Sequence, residues 1–84
     1  MILKVCKNVI KEDVEGKNSS IEHLVEYYEA NSFTIKDGMA YDGQQNILIH
    51  DYKQRDDITG EFIEYDIDNV FLMNNEGKTI ERLV

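Results

Sequence analysis

In the segment 61–68, apolar and acidic residues alternate one by one from position 63 onward. This period of two is typical of a β-strand with one buried face and one exposed face. The side that can join a core carries Ile63, Tyr65 and Ile67. The opposite side carries a row of carboxylates, spaced by roughly 6.8 Å or two residues of strand rise, from Glu64, Asp66 and Asp68. The strand is therefore predicted to present a negatively charged face.

A second pattern, with a period near 3.6, predicts an amphipathic helix over residues 20–30. Ser19 and Glu22 match a capping box, in which a hydroxyl and a carboxylate bind the first free amides of a helix. An apolar stripe at helical spacing follows, made of Ile21, Leu24, Val25 and Tyr28. Another face of the same helix would gather three acids, Glu22, Glu26 and Glu29.

The N-terminal 14 residues fit two interpretations. Helical spacing is present at Ile2, Val5, Cys6, Val9 and Ile10. The same segment is rich in β-branched residues, which favour a strand. We favour a strand over residues 2–10, followed by a charged loop over residues 11–18.

Beyond residue 30, short strands alternate with turn signals. Hairpin turns are predicted at Asp37-Gly38 and Asp42-Gly43, and a strand over residues 46–52. A charged loop over 53–60 is predicted before the acidic strand. After that strand, Asp68-Asn69 is predicted as a tight connection to a strand over 70–73, and the last turn is predicted over residues 74–77. These elements predict an α+β fold: one amphipathic helix packed on a curled antiparallel sheet of about five strands, in a single small domain over residues 1–84. The expected core comprises Ile21, Leu24, Val25, Tyr28, Phe33, Ile35, Leu48, Ile63, Tyr65, Ile67, Val70, Leu72, Ile80 and Leu83.

Composition narrows the classes of function. The 84 residues carry a net charge of −8, which repels nucleic acid and anionic membranes and speeds encounter with basic surfaces. We therefore expect no direct binding to nucleic acid or membrane. The single cysteine, Cys6, fits a reducing compartment, so a cytoplasmic location is expected.

Candidate catalytic and metal-binding chemistry is weak. A zinc site would need Cys6, His23 and His50 to converge from distant segments. A Cys6–His50 nucleophilic pair is conceivable, but a cysteine in an apolar run is more often a buried structural residue. We therefore expect no catalytic residue, no metal and no cofactor, and a protein that is not an enzyme.

The acidic residues then become the candidate site. Partner-binding residues are predicted in the acidic strand and the loop before it: Asp56, Asp57, Glu61, Glu64, Asp66 and Asp68. A secondary set lies on the predicted helix: Glu22, Glu26, Glu29 and Tyr27. Consecutive phosphates of a DNA strand are roughly 3.4 Å apart along the helix axis. Carboxylates spaced by roughly 6.8 Å would therefore match every second phosphate. The expected partner is the basic surface of a nucleic-acid-handling protein, and the expected function is inhibition through a DNA-mimicking surface, as in anti-defence proteins of phages and mobile elements.

Other interpretations stay open. The acids could serve only solubility, or could keep an edge strand from pairing with other chains. The main alternative function is an accessory or structural domain that self-associates through an apolar sheet edge or helix face, so both a monomer and a homodimer remain possible. A small enzyme or ligand binder around His50 and Tyr52 is the third alternative.

The size and acidity, the Ile47-Leu48-Ile49-His50 run and the Asn74-Asn75-Glu76-Gly77 turn together resemble the phage inhibitors of uracil-DNA glycosylase. That family consists of DNA mimics with one sheet and flanking helices, so the resemblance implies an inhibitor of a DNA-binding enzyme. It covers a minor part of the chain. The acidic strand that enters the enzyme's DNA groove in that family has no counterpart at the matching place, and no site residue is carried over.

Overall fold

A computed structural model describes residues 1–13 and 18–84, and this part of the chain contains strands and no helix. The predicted α+β class is therefore wrong, and the fold is all-β. The predicted loop over 11–18 lies partly on residues 14–17, outside the described residues, while residues 11 and 12 extend the first strand. The strands are β1 (Ile2–Glu12), β2 (Ser19–Glu29), β3 (Thr34–Lys36), β4 (Met39–Tyr41), β5 (Asn46–Leu48), β6 (Tyr52–Arg55), β7 (Phe62–Met73) and β8 (Thr79–Arg82).

The predicted helix over 20–30 is instead the strand β2. It pairs with β1 in an unbroken antiparallel ladder from Ile2–Glu29 to Glu12–Ser19. The ladder satisfies backbone groups of both strands, and β2 contains β-branched and aromatic residues that suit a pleated surface. Strand alternation divides the apparent helical stripe between two faces, with Ile21 and Val25 on one and Leu24 and Tyr28 on the other. Pairing with β1 therefore decided the conformation against the local pattern. The strand favoured over residues 2–10 is confirmed as β1.

The longest strand, β7, runs through both the acidic segment and the following predicted strand. It pairs with β1 from Phe62 to Met73, with a bulge where Asn69 faces Cys6 and Ile67 faces Lys7. Asp68 is the extra residue of this bulge, so the predicted tight connection at 68–69 is wrong. The main sheet has the order β2-β1-β7-β6, and β8 pairs with the other end of β7.

A second, three-stranded sheet has the order β3-β4-β5. The predicted hairpin turn at Asp37-Gly38 joins β3 to β4, with φ values of 51° and 75°. Positive φ at both central residues is the geometry of a tight hairpin turn, and glycine adopts it at little cost. The predicted strand over 46–52 is divided into β5 and the start of β6.

The core lies between the two sheets. Its buried cluster joins residues of β1 and β7 to residues in or just after β4 and β5: Leu3, Val5, Ala40, Ile47, Ile49, Ile67 and Val70. Five predicted core residues are instead exposed: Ile21 (61%), Leu24 (36%), Val25 (53%), Ile35 (42%) and Ile80 (55%). The helix that was expected to bury Ile21 and Val25 does not form.

The main sheet therefore has two different faces. The covered face is defined by Leu3, Val5 and Val9 of β1, which are all buried. The open face is defined by Lys4, Cys6, Asn8 and Ile10 of β1 and the residues opposite them, none of which is buried. The bulge matters here, because it changes which β7 residues lie on each face.

Candidate interaction surface

An asparagine on the open face lies at the centre of a polar cluster. Asn8 is directly opposite His23 of β2 and Asp66 of β7, so the three residues form one row across three strands. The Asn8 Nδ2 donates to Asp68 Oδ2 at 3.1 Å and lies 3.4 Å from Asp66 Oδ2. On its other side, Asn8 Oδ1 is hydrogen-bonded to His23 Nδ1. Two carboxylates and one imidazole thus converge on one amide.

The bulge in β7 produces this convergence. In a regular strand the carboxylates of Asp66 and Asp68 would be two residues of rise apart, roughly 6.8 Å. Because Asp68 is the extra residue of the bulge, its side chain reaches the same amide as Asp66. The regular phosphate-like repeat expected from the sequence is therefore replaced by a tighter pair of charges.

Asp66 and Asp68 take no part in the ion pairs of the described residues. Among the described residues, Lys7 forms an ion pair with Glu26 at 2.8 Å and Arg55 forms one with Glu12 at 4.0 Å, so these pairs involve other acids. Glu64 lies on the same face two residues before Asp66, but Lys53 of β6 is directly opposite it. We call Glu64, Asp66 and Asp68 the acidic patch.

The acids of the β6–β7 turn are placed elsewhere. Glu61 precedes β7 and lies roughly 17 Å along the chain from Asp66, five residues of strand rise. The Asp56 carboxylate accepts hydrogen bonds from Thr59 N at 3.0 Å and Ile58 N at 2.8 Å, which hold its pKa below the usual range. Asp56 is therefore a turn-capping residue, while Asp57 and Glu61 are exposed beside it.

The secondary set does not form the acidic helix face that was expected, because residues 19–29 are a strand. Glu22 and Glu26 lie opposite Val9 and Val5, on the side of the covered face. Glu29 and Tyr27 lie on the open face, opposite Ile2 and Lys4. Strand alternation thus separates residues that helical spacing would have grouped.

Glu26 has a structural partner on the covered side. Burial by itself raises its pKa, but hydrogen bonds from Lys7 and Tyr28 outweigh burial and lower it. The Lys7 Nζ also lies 4.7 Å from the centroid of the Tyr65 ring. Glu26 thus serves to join β2 to β1, which makes it a poor candidate for partner contact.

Residues that the sequence interpretation did not select also shape the open face. Asn8 and His23 position the acidic patch, and Lys4 Nζ lies 6.0 Å from the Tyr27 ring and 5.9 Å from the Phe71 ring. Once residues 2–12 are assigned to a strand, Asn8 is the only uncharged polar side chain in it. Its position as a lone amide side chain among apolar and charged residues could have identified Asn8 from the sequence.

Within residues 1–13 and 18–84, no three His, Cys, Asp or Glu side chains come close enough to hold a metal ion. Cys6 lies on the open face opposite Val25, whereas the His50 ring lies against Gly38 of the small sheet. The two members of the conceivable nucleophilic pair are therefore on different parts of the molecule. In the same described residues, no helix is long and apolar enough to span a membrane.

The chain matches no protein-family model, no curated protein and no solved structure. The resemblance to uracil-DNA glycosylase inhibitors thus gains no support from these comparisons. The all-β fold also departs from the architecture of one sheet with flanking helices that the resemblance implied.

Proposed function

We propose that this protein is a non-enzymatic interaction module whose acidic patch binds the basic surface of a nucleic-acid-handling protein. The observation that carries the proposal is the pair of carboxylates, Asp66 and Asp68, held by Asn8 on the open face. The net charge of −8 supports it, because a long-range negative field accelerates encounter with a basic partner. More specifically, we propose that the protein is an inhibitor of the kind that phages and mobile elements use, and that it occupies the nucleic-acid channel of its partner.

The geometry of the pair suits arginine and lysine. Each ionised carboxylate has about four acceptor positions, and the Asn8 amide occupies only a part of them. The remaining positions can accept a bidentate guanidinium, which is among the strongest charge-assisted contacts in proteins. The support from Asn8 holds both carboxylates in place before binding, so less side-chain entropy is lost on contact.

The test uses DNA–cellulose loaded with a cell extract and eluted with the purified protein at about 50 mM salt, where surface charges are weakly screened. The wild type should release specific DNA-binding proteins. The variant Asp66→Lys/Asp68→Lys should release at least tenfold less. The matched control, Glu76→Lys/Glu81→Lys, changes net charge equally at exposed acids outside the patch and should behave like the wild type.

Raising the salt to about 200 mM should suppress the release, because the contact is electrostatic. Equal activity of both double variants would show that net charge, and not the patch, is responsible. Failure of the wild type to release any DNA-binding protein would refute the proposal.

A further inference from the structure

The outer edge of the main sheet is formed by β2. Hydrogen bonds between Ala30 N and Met1 O, at 3.1 Å, and between Asp13 N and Asn18 O, at 3.0 Å, fix the phase of the β1–β2 ladder. Hydrogen-bonded pairs alternate in an antiparallel ladder, so the even-numbered residues of β2 bond to β1. The odd-numbered residues direct their N–H and C=O groups outward: Ser19, Ile21, His23, Val25, Tyr27 and Glu29.

Apart from its three glutamates, this edge lacks the features that usually keep an edge strand from pairing. Such strands are commonly short, or carry lysine, proline or a bulge. On the opposite edge, β6 is four residues long and carries Lys53 and Arg55, and β8 is four residues long and carries Arg82. By contrast β2 has 11 residues, contains no Lys, Arg or Pro, and pairs with β1 without a bulge.

The same outward residues carry exposed apolar side chains. Tyr27 is 62% exposed, Ile21 61% and Val25 53%. All three are odd-numbered and lie on the open face. A strand added to this edge would therefore gain backbone hydrogen bonds and cover apolar surface together.

We propose that a second copy of this chain pairs antiparallel with β2, about a two-fold axis at His23. In this register Ile21 faces Val25 of the second copy, which brings together two exposed aliphatic side chains on each side of the axis. An axis at Leu24 would place Glu22 directly opposite Glu26 twice, and like charges in that position are destabilising. An axis at Val25 would place Ile21 opposite a Glu29 carboxylate. The axis at His23 avoids both arrangements.

The pairing is self-limiting. Odd residues 19–27 would form about ten backbone hydrogen bonds between copies, two for each of the five paired positions. Because each copy offers one long edge and the opposite edge is short and charged, a two-fold dimer uses both long edges and closes. The result is one continuous sheet through both copies, with the acidic patches on the same face. This inference does not depend on the proposed partner of the acidic patch.

Sedimentation of the full chain tests the dimer. The wild type should be dimeric at tens of micromolar, and Ile21→Lys should raise the dissociation constant at least tenfold. Ile80→Lys is the matched control, because Ile80 is a similarly exposed isoleucine (55%) on the opposite edge. Ile21→Pro gives a second variant, since the Ile21 N–H points outward and its loss breaks no bond to β1.

Salt separates this inference from the proposed function. Glu22, Glu26 and Glu29 lie on the pairing strand, which has no lysine or arginine. Screening should therefore strengthen the dimer between about 50 and 200 mM salt, whereas the release of DNA-binding proteins should weaken. A wild type that is monomeric at every salt concentration would overturn the dimer. It would leave the acidic patch untouched.

Single cysteines read the register directly. In a Cys6→Ser background, the variants His23→Cys, Leu24→Cys and Val25→Cys each place a thiol at one candidate axis. Two thiols that face each other across the axis are close enough to form a disulfide under mild oxidation. Selective cross-linking of His23→Cys supports the arrangement, while preferential cross-linking at position 24 or 25, or none at all, overturns it.

Discussion

Lys7 connects three strands, so its removal offers a quantitative test of how the main sheet is stabilised. Its Nζ lies 2.8 Å from Glu26 Oε1 on β2, and the two side chains are 16% and 31% exposed. The same Nζ lies 4.7 Å from the Tyr65 ring centroid on β7. Lys7→Met keeps the aliphatic part of the side chain and removes both polar contacts.

The expected cost follows from the degree of burial. Exposed ion pairs contribute about 0.2–1 kcal/mol, whereas breaking a fully buried pair costs about 3–5 kcal/mol. For this half-buried pair we expect a coupling energy of about 1–2 kcal/mol between Lys7 and Glu26. The cation–π contact with Tyr65 adds about 0.5–1 kcal/mol, which only the lysine substitution removes. Lys7→Met should therefore cost about 1.5–3 kcal/mol and Glu26→Gln about 1–2 kcal/mol.

Urea unfolding of the wild type, both single variants and the double variant gives the coupling energy from a double-mutant cycle. A coupling energy near zero would refute the ion pair as a stabilising contact. A larger loss for Glu26→Gln than for Lys7→Met would refute the assigned role of Tyr65.

The same pair predicts a pH dependence. The lowered pKa of Glu26 means that its carboxylate stabilises the fold above its ordinary value of 4.5, and that this stability is lost as pH falls through the lowered value. Lys7→Met should reduce this acid dependence. Burial and the hydrogen bond to Glu26 raise the pKa of Tyr28 to about 12. The contribution of Tyr28 to stability is therefore complete below pH 10 and is lost as pH rises through about 12.

Two further substitutions test the turn and the bulge. Gly38→Ala should cost more than the roughly 1–2 kcal/mol of a left-handed non-glycine residue, because its Cβ would lie 2.1 Å from His50 Cδ2. Adding His50→Ala should restore only the part of the stability that the steric clash removes. If urea unfolding shows no such recovery, the clash is excluded. Asp51 Oδ1 accepts a hydrogen bond from Ile67 N at 2.9 Å, so Asp51→Ala should cost about 1–2 kcal/mol. Asp51→Asn keeps an acceptor and should cost less in the same urea titration, and equal costs would contradict the assignment.

The segment 19–29 shows where sequence reasoning was insufficient. Ser19, Glu22 and the apolar spacing fit a helix, and the segment shows no regular period of two, because it contains adjacent apolar pairs such as Leu24-Val25. Local signals of this kind contribute only about 1 kcal/mol each. Eleven consecutive residue pairs with β1 outweighed them. The pairing partner lies before residue 13, so no window confined to residues 19–29 contains the deciding information.

The acidic segment shows both the reach and the limit of the pattern. Alternation correctly separated the apolar side chains of Ile63, Tyr65 and Ile67 from the acids, since Ile67 is buried and Tyr65 packs against the core. Asp68-Asn69 has the composition of a turn, but the structure uses it as a bulge in a strand that continues to Met73. Both conformations accept an Asp that leaves the regular ladder, so local composition could not distinguish them.

The sequence by itself determined the net charge, the hairpin turn at Asp37-Gly38 and the two-sided character of residues 61–68, and it favoured a strand over a helix for β1. Only the tertiary structure decided that β2 is an edge strand, that Asn8 gathers Asp66 and Asp68, and that Glu22 and Glu26 lie away from Glu29. The physical reason is that turns and alternation depend on residues adjacent in the chain. The partners of a strand, and the side chains that meet across a sheet, depend on hydrogen bonds between segments as far apart as Asn8 and Asp66.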